Sequence, residues 1–210
     1  MNNKIIEEIL EKQKEILTNR DSESISVYLF LKKEYEKGNI KNNGVFQFVF
    51  RSYYRLDNAG LGEKLKNKYF ELLANKQNDL SKILSELYKI LSLRKLNTIQ
   101  FSFATKLLHT IDNNNPIFDA EVSRVIHKRV SGRTRDEKIK SCLEIYEFLK
   151  NEYGDFLQNE QIKKLILEFR ERFNVSKDKM SDIKILDFIV WSLGKIQEKN
   201  YALHIFRRKR

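Results

Sequence analysis

Apolar residues recur every three to four positions along most of this chain, which is the spacing of amphipathic α-helices. Near the start, Ile5, Ile6 and Ile9 follow this spacing, and the segment 180–198 is apolar nearly all round. A helix without a polar face must be buried, so 180–198 is expected to run through the core. The pattern predicts helices over residues 3–19, 24–36, 45–54, 62–75, 79–92, 99–110, 119–130, 135–152, 158–172 and 180–198, with Asp119 as the N-cap of its helix.

The segment 45–54 is the one place where a strand competes with a helix, because aromatic and β-branched residues dominate it. No other run of residues offers a convincing partner strand, and an isolated strand pair is at best marginally stable. The chain has only one Pro and seven Gly, too few for the turns between many short strands. We therefore predict an all-α protein, a compact bundle of about ten helices, in one lobe or in two lobes with a cleft between them.

Length and cysteine content indicate how the chain is organised. Its 210 residues suit one domain, which we expect residues 1–200 to form, with residues 201–210 as a basic C-terminal tail. The single Cys142 has no second cysteine for an internal disulfide, which predicts a packed, inert thiol and a reducing, cytoplasmic location. No uncharged apolar run approaches the roughly 18 residues of a membrane span, so no membrane insertion is expected.

Positive charge is concentrated in two segments. The chain carries a net charge of +11; residues 124–140 hold seven Lys or Arg against two acidic residues, and residues 207–210 add four more positive charges. Clustered cations gain free energy on a polyanion by releasing its counterions, so nucleic acid is the leading predicted partner, ahead of an anionic membrane. A lysine-rich solvated surface is the alternative interpretation.

Residues for the common catalytic centres are sparse. His109, His127 and His204, with one Cys, have no zinc-binding spacing, and neither a glycine-rich phosphate loop nor a G-x-S-x-G elbow occurs. No metal, nucleotide or redox cofactor is therefore expected. Asp187 lies in the most apolar helix and is predicted to need a buried ionic partner. What remains is Asp119, a carboxylate at a predicted helix start, for which a purely structural cap is the alternative.

A resemblance emerges at this aspartate. The segments Gln100-Phe-Ser-Phe-Ala-Thr-Lys-Leu-Leu-His109 and Asn115-Pro-Ile-Phe-Asp119-Ala-Glu-Val resemble the second half of the helix-hairpin-helix DNA glycosylases, particularly the compact 8-oxoguanine-glycosylase-like branch. In that family a buried helix is followed by a loop and by an aspartate that opens the next helix. The resemblance is clearest over 98–130 and weaker over 46–61 and 186–191. It implies a glycosylase-like fold and makes Asp119 the counterpart of the catalytic carboxylate.

The sequence departs from that family at two points. The family's hairpin loop is glycine-rich and binds DNA phosphate through backbone N–H groups, whereas residues 92–103 contain no Gly. Bifunctional members carry a catalytic lysine that falls near residues 100–102 here, where no lysine occurs; Lys106 is closer to Asp119 and Lys95 is farther away. The resemblance therefore favours a monofunctional enzyme that uses water, with Lys106 as a second candidate catalytic residue.

The mechanism that this implies follows from charge. Breaking an N-glycosidic bond builds positive charge on the sugar, which the carboxylate of Asp119 can stabilise while it orients the attacking water. The target base leaves the duplex and enters a pocket, where aromatic stacking offsets the lost base stacking. The candidate pocket residues are Tyr53, Tyr54, Phe118 and Trp191, with His109 and Lys106 as polar contacts, and the candidate phosphate ligands are Arg124, Lys128, Arg129, Arg133 and Arg135. Packing roles are the alternative for the aromatic residues, and a solvated stripe is the alternative for His109 and Lys106.

Three functions stay open at this point. The first is a monomeric base-excising enzyme that acts on damaged or modified DNA, in repair or against modified foreign DNA. The second is a non-catalytic nucleic-acid-binding helical module, which the missing hairpin glycines and the missing lysine favour. The third is a protein-interaction domain whose basic segments bind an acidic partner, and whose DNA binding would depend only weakly on salt.

Overall fold

The computed structural model describes the backbone of residues 2–18, 22–57, 60–93 and 96–208, and the side chains of these residues except Asn2 and residues 202–208. Within these ranges the chain forms eleven α-helices and no strand, so the all-α prediction is confirmed. The helices are α1 (Asn2–Glu11), α2 (Gln13–Thr18), α3 (Ser22–Glu36), α4 (Gly44–Tyr54), α5 (Glu63–Ala74), α6 (Leu80–Tyr88), α7 (Phe101–Ile111), α8 (Ala120–Ile126), α9 (Arg135–Phe156), α10 (Glu160–Phe173) and α11 (Asp182–Arg208).

The segment in which a strand competed with a helix is helical, as α4, so the strand alternative is wrong. Asn43 caps this helix, because its side-chain oxygen accepts the Phe46 backbone N–H at 3.0 Å. Phe46, Phe50 and Tyr54 then recur every four residues, which places three rings on one helix face. That face is buried against α5, with the ring centroids of Phe50 and Phe70 5.6 Å apart.

Two helices are shorter than the apolar spacing predicts. The first predicted helix is divided at Lys12 into α1 and α2. The helix α8 ends before residue 130, because His127 adopts a left-handed backbone conformation (φ 52°) and donates its N–H to the Ser123 carbonyl. Residues 127–134 therefore form a loop, and the basic side chains in it are not presented from a helix.

Two helices run farther than predicted. A capping box starts α9: Thr134 accepts the Glu137 N–H, and the Glu137 side chain accepts the Thr134 N–H. From there α9 continues to Phe156. The helix α11 continues to Arg208, so the described backbone of residues 201–208 is helical. The side chains of 202–210 lie outside the described residues.

The helix α11 is at the centre of the bundle. It packs most extensively against α8, and α1, α2 and α10 also pack on it. Its side chains Leu186, Ile189, Val190 and Leu193 have no exposed surface, which confirms that this helix runs through the core. The remaining helices pack in neighbouring pairs, among them α3 with α4 and α6 with α5, α7 and α9.

The start of α8 approaches α11 so closely that backbone meets backbone. A Cβ atom at Gly194 would lie 2.6 Å from the carbonyl oxygen of Glu121, so only glycine fits there without a shift. The Glu121 carboxylate pairs with Lys195 Nζ at 2.8 Å, and Arg124 donates to the Gly194 carbonyl at 3.0 Å. These contacts fix the first turn of α8, and with it the position of Asp119.

The cysteine and the helix lengths bear on two further expectations. Cys142 lies on α9 with no exposed surface, and burial raises the pKa of its thiol to about 12. Because the thiolate is the reactive form, this confirms the packed, inert thiol. In the part of the chain that the structure describes, no helix has both the length and the apolar character needed to cross a membrane.

Candidate functional site

A cleft with a volume of about 460 Å³ lies where several helices meet. The C-terminal end of α4, the first turns of α7, the start of α8 and one face of α11 form its walls. Its lining contains both aromatic rings and charged side chains. Five of the residues predicted from the sequence share this cleft: Asp119, Lys106, Tyr53, Tyr54 and Trp191.

Asp119 lines the cleft and caps α8 at the same time. Its Oδ1 accepts the backbone N–H of Glu121 at 3.0 Å and of Val122 at 3.1 Å. Both bonds use the same oxygen, so the cap does not require Oδ2. The side chain is half-buried. From the sequence, a structural cap and a carboxylate that serves the cleft are alternatives for Asp119. In the structure this residue caps α8 and lines the cleft, so the two roles do not exclude each other.

Lys106 enters the cleft from α7. Its Nζ donates to Ser102 Oγ at 3.1 Å and lies 5.0 Å from the centre of the Phe103 ring. Burial lowers the pKa of this ammonium; the negative charge of Asp119 opposes that change, and the positive charge of Arg55 adds to it. The cleft thus holds an amine that loses its proton more readily than an exposed lysine, together with a carboxylate.

Aromatic rings provide the stacking surface of the cleft. Tyr53 and Tyr54 meet edge to face at the end of α4, with ring centroids 4.9 Å apart. Trp191 is half-buried and follows directly after the fully buried run 184–190 of α11. Lys195 Nζ lies 5.5 Å from the centre of the Trp191 ring. Flat rings with an open face can stack on a planar heterocycle such as a nucleobase.

Two other predicted pocket residues, His109 and Phe118, are not among the residues that line this cleft. Phe118 is buried and stacks on Phe101, with ring centroids 4.5 Å apart. His109 lines a second cavity of about 410 Å³. Its Nδ1 donates to the Asn115 carbonyl at 2.7 Å, and its Nε2 accepts the Tyr28 hydroxyl at 3.2 Å. Burial keeps the pKa of His109 well below its usual value, so the ring is neutral, as these bonds require.

One face of α11 contributes a stripe of residues that the sequence analysis did not assign to a site as a group. Lys184, Asp187, Phe188, Trp191 and Lys195 occupy positions i, i+3, i+4, i+7 and i+11 of this helix, the spacing of a single helix face, and all line the cleft. The Lys184 ammonium lies 4.3 Å from the centre of the Phe188 ring. In the sequence, the stripe is visible as charged residues that interrupt an otherwise apolar helix at this spacing.

Asp187 is the acid of this stripe, and 4% of its surface is exposed. Its Oδ1 accepts the Ile117 backbone N–H at 3.1 Å. Burial raises the pKa of this carboxyl group from 3.8 to about 7, although the positive charge of Lys184 and the bond from Ile117 act in the opposite direction. The positive charge of Lys184, one turn earlier, thus acts on Asp187, while the direct bond comes from the loop that precedes Asp119.

We expect Asp187→Asn to change how stability depends on pH. The folded protein binds the Asp187 proton more tightly than the unfolded chain, so this stabilisation is complete below about pH 3.8 and is lost as the pH rises to about 7. The wild type should therefore lose on the order of 2 kcal/mol relative to D187N between pH 5 and pH 8. Urea unfolding of both proteins at both pH values measures this difference. Equal changes in the two proteins would contradict the prediction.

The loop 127–134 carries the most accessible of the predicted phosphate ligands. Arg129 and Arg133 are exposed, and Lys128 is half-buried with its Nζ over an aromatic ring of α9. Because α8 has seven residues, this loop lies about 10 Å from Asp119 along the helix axis. Arg129 and Arg133 are therefore the predicted phosphate ligands whose side chains are most exposed to solvent.

Arg124 and Arg135, by contrast, are engaged within the protein. Arg124 pairs with Glu121 and, at 3.4 Å, with Glu198. The Arg135 guanidinium lies 5.8 Å from the centre of the Tyr88 ring. A phosphate would have to compete with these contacts, so the exposed arginines of the loop are the stronger candidates.

Comparisons with known proteins do not add to this site. No family model, no curated protein and no solved structure matches this chain. Among the described residues, no cluster of His, Cys, Asp and Glu has the composition to hold a metal ion. The cleft is therefore interpreted from its own residues.

Proposed function

We propose that this protein is a DNA glycosylase that hydrolyses the N-glycosidic bond of a damaged or modified base, with a helix-hairpin-helix glycosylase-like fold. The proposal depends chiefly on one observation: Asp119, Lys106 and the rings of Tyr53 and Trp191 line one cleft. Its volume of about 460 Å³ is within the range of about 300–1,000 Å³ that small-molecule sites occupy.

Asp119 is the proposed catalytic carboxylate, and water is the nucleophile. As the base departs with the electrons of the glycosidic bond, positive charge grows on the deoxyribose. The Asp119 carboxylate stabilises that charge and orients a water molecule, whose oxygen attacks the anomeric carbon while the carboxylate accepts its proton. The two N–H bonds to Oδ1 hold the group in place, so little reorganisation is needed during the reaction.

The aromatic rings and the half-buried Lys106 serve the extruded base. Unstacking a base costs a few kcal/mol, which stacking on Tyr53 or Trp191 offsets. The ammonium group of Lys106 offers three N–H donors, enough to serve a carbonyl oxygen or a ring nitrogen of the base as well as its contacts with Ser102 and with the Tyr54 carbonyl. Outside the cleft, Arg129 and Arg133 bind the flanking phosphates.

The direct test incubates the protein with duplexes that each carry one damaged or modified base. Heating in alkali then cleaves every strand that has lost its base. We expect cleavage of at least one substrate, and binding to the same duplexes that weakens steeply with salt, because phosphate contacts release counterions. Borohydride added during the reaction should trap no protein–DNA adduct, since the nucleophile is water.

The other outcomes lead to different conclusions. A trapped adduct that is absent from Lys106→Met would make the lysine the nucleophile instead of water. Salt-sensitive binding without excision of any base would support the non-catalytic nucleic-acid-binding module. Binding that is weak and hardly depends on salt would favour the protein-interaction domain.

A further inference from the structure

The loop 112–119 brings Asp119 to the cleft, and its backbone is held by side chains from neighbouring helices. A buried backbone carbonyl or N–H needs a hydrogen-bond partner, and a loop lacks the regular backbone hydrogen bonds of a helix or a sheet. Here α7 and the start of α11 supply them. The contacts are Ser181 Oγ to the Asn113 carbonyl (2.6 Å), His109 Nδ1 to the Asn115 carbonyl (2.7 Å), the Ile117 N–H to Asp187 Oδ1 (3.1 Å) and the Phe118 N–H to Thr105 Oγ1 (3.0 Å).

Thr105 makes the contact nearest to Asp119. It has no exposed surface. Its Oγ1 accepts the Phe118 N–H and also lies 3.2 Å from the Phe118 carbonyl and 3.0 Å from the Ser102 carbonyl, to either of which its hydrogen can be donated. One hydroxyl thus accepts the N–H of the residue that immediately precedes Asp119 and lies within donating distance of its carbonyl.

We propose that Thr105 is a positioning residue for the reaction at Asp119, an inference that rests on the proposed function. The two hydrogen bonds of the Asp119 side chain go to the first turn of its own helix. The direction of the carboxylate therefore depends on the backbone at Phe118 and on the position of α8. Thr105 is not among the residues that line the cleft, so it acts on the substrate only through the peptide that it holds.

Thr105→Val tests this role, because valine keeps the shape of threonine and removes only the hydroxyl. A displacement of a catalytic group by about 1 Å can cost about 100-fold in rate, so we expect the single-turnover excision rate of T105V to fall about 10- to 100-fold. The affinity for a duplex with a non-hydrolysable abasic analogue should stay within about twofold of the wild type. Thr105→Ser keeps the hydroxyl and should restore most of the rate. Thr105→Ala, a second variant without the hydroxyl, should show the same selective loss.

Thr110→Val is the matched control. Thr110 lies on the same helix, but its hydroxyl donates to the Lys106 carbonyl of its own helix at 2.8 Å. We expect T110V to excise at nearly the wild-type rate. As an independent readout, amide hydrogen exchange at Phe118 should be at least about tenfold faster in T105V than in the wild type and in T105S.

The outcomes separate this inference from the proposed function. A wild type that excises no base rejects the proposed function and this role with it. An active wild type with an unchanged T105V rate, with equal losses in T105V and T110V, or with no rescue by T105S rejects the positioning role alone. Unchanged exchange at Phe118 in T105V also overturns it.

Discussion

Asp119→Asn is expected to reduce the rate of base excision by about 100- to 1,000-fold, the usual cost of removing one preorganised electrostatic group. The fold should be retained, because asparagine is as good an N-cap as aspartate and its Oδ1 can accept the same N–H groups of Glu121 and Val122. The variant loses the negative charge that opposes the positive charge on the sugar, and the base that accepts the proton of the water. Single-turnover rates, duplex affinity and thermal unfolding together measure these effects.

Asp79→Asn provides the matched control for that variant. Asp79 is the N-cap of α6, and its Oδ1 accepts the Lys82 N–H at 3.1 Å. The substitution changes one N-cap and one charge, as D119N does, but at an exposed position that does not line the cleft. We expect D79N to excise at the wild-type rate. Excision by D119N at a rate close to that of D79N would exclude Asp119 as the catalyst.

A second cause of lost activity in D119N can be separated by pH. The charge of Asp119 raises the pKa of Lys106, so its removal lets that pKa fall further. If loss of the Lys106 proton caused the effect, lowering the pH would restore the rate. A deficit that persists at every pH where the protein is folded assigns the effect to the missing carboxylate.

The helices could be predicted from the sequence wherever burial follows the chain at a helical period. The centre of α11 and the aromatic face of α4 are such cases. The end of α8 could not be predicted, because Val130 continues the apolar spacing while the left-handed His127 has already ended the helix. Neither apolar spacing nor residue type marks a break at Lys12, where the first predicted helix divides.

The candidate site could be predicted only in part, for a reason visible on α7. Its polar residues Ser102, Thr105, Lys106 and His109 form one narrow stripe at the helical period, for which the sequence leaves both a cleft wall and a solvated face open. In the structure the stripe is divided: Ser102 and Lys106 line the cleft, whereas Thr105 and His109 are buried beneath the loop that precedes Asp119. Which polar residues meet the loop depends on where that loop folds back. The helical period contains no information about this.

The sequence does not predict that the charged residues of α11 share a site, for a related reason. A charge in an apolar helix predicts a buried partner, as it did for Asp187, but the sequence does not show which other helix supplies the opposite wall. The C-terminal end of α4 and the first turns of α7 supply that wall, and α8 packs on α11 beside it. Tertiary contact between segments far apart in the chain thus determines which charges form a site.

Gly194→Ala is expected to destabilise the protein by about 2–4 kcal/mol, because the new methyl group meets backbone and not a side chain that can turn away. It would lie 2.6 Å from the Glu121 carbonyl oxygen and 2.8 Å from the Glu121 Cβ. The higher helix propensity of alanine, worth up to about 1 kcal/mol, offsets only part of this cost. Urea unfolding measures the difference in the free energy of unfolding.

Gly154→Ala is the control, because Gly154 is also helical and a Cβ there has no atom within 4 Å. Alanine at this position should stabilise the protein by about 0.5–1 kcal/mol, so the two variants are expected to move in opposite directions. Similar effects in both would show that α8 can move away from α11 at little cost.

Because Glu121 is two residues from Asp119 and donates its N–H to that carboxylate, a displaced α8 in G194A also displaces the carboxylate. G194A should therefore excise more slowly than G154A even where both proteins are fully folded. That result would link the packing of α8 against α11 to the chemistry of the cleft.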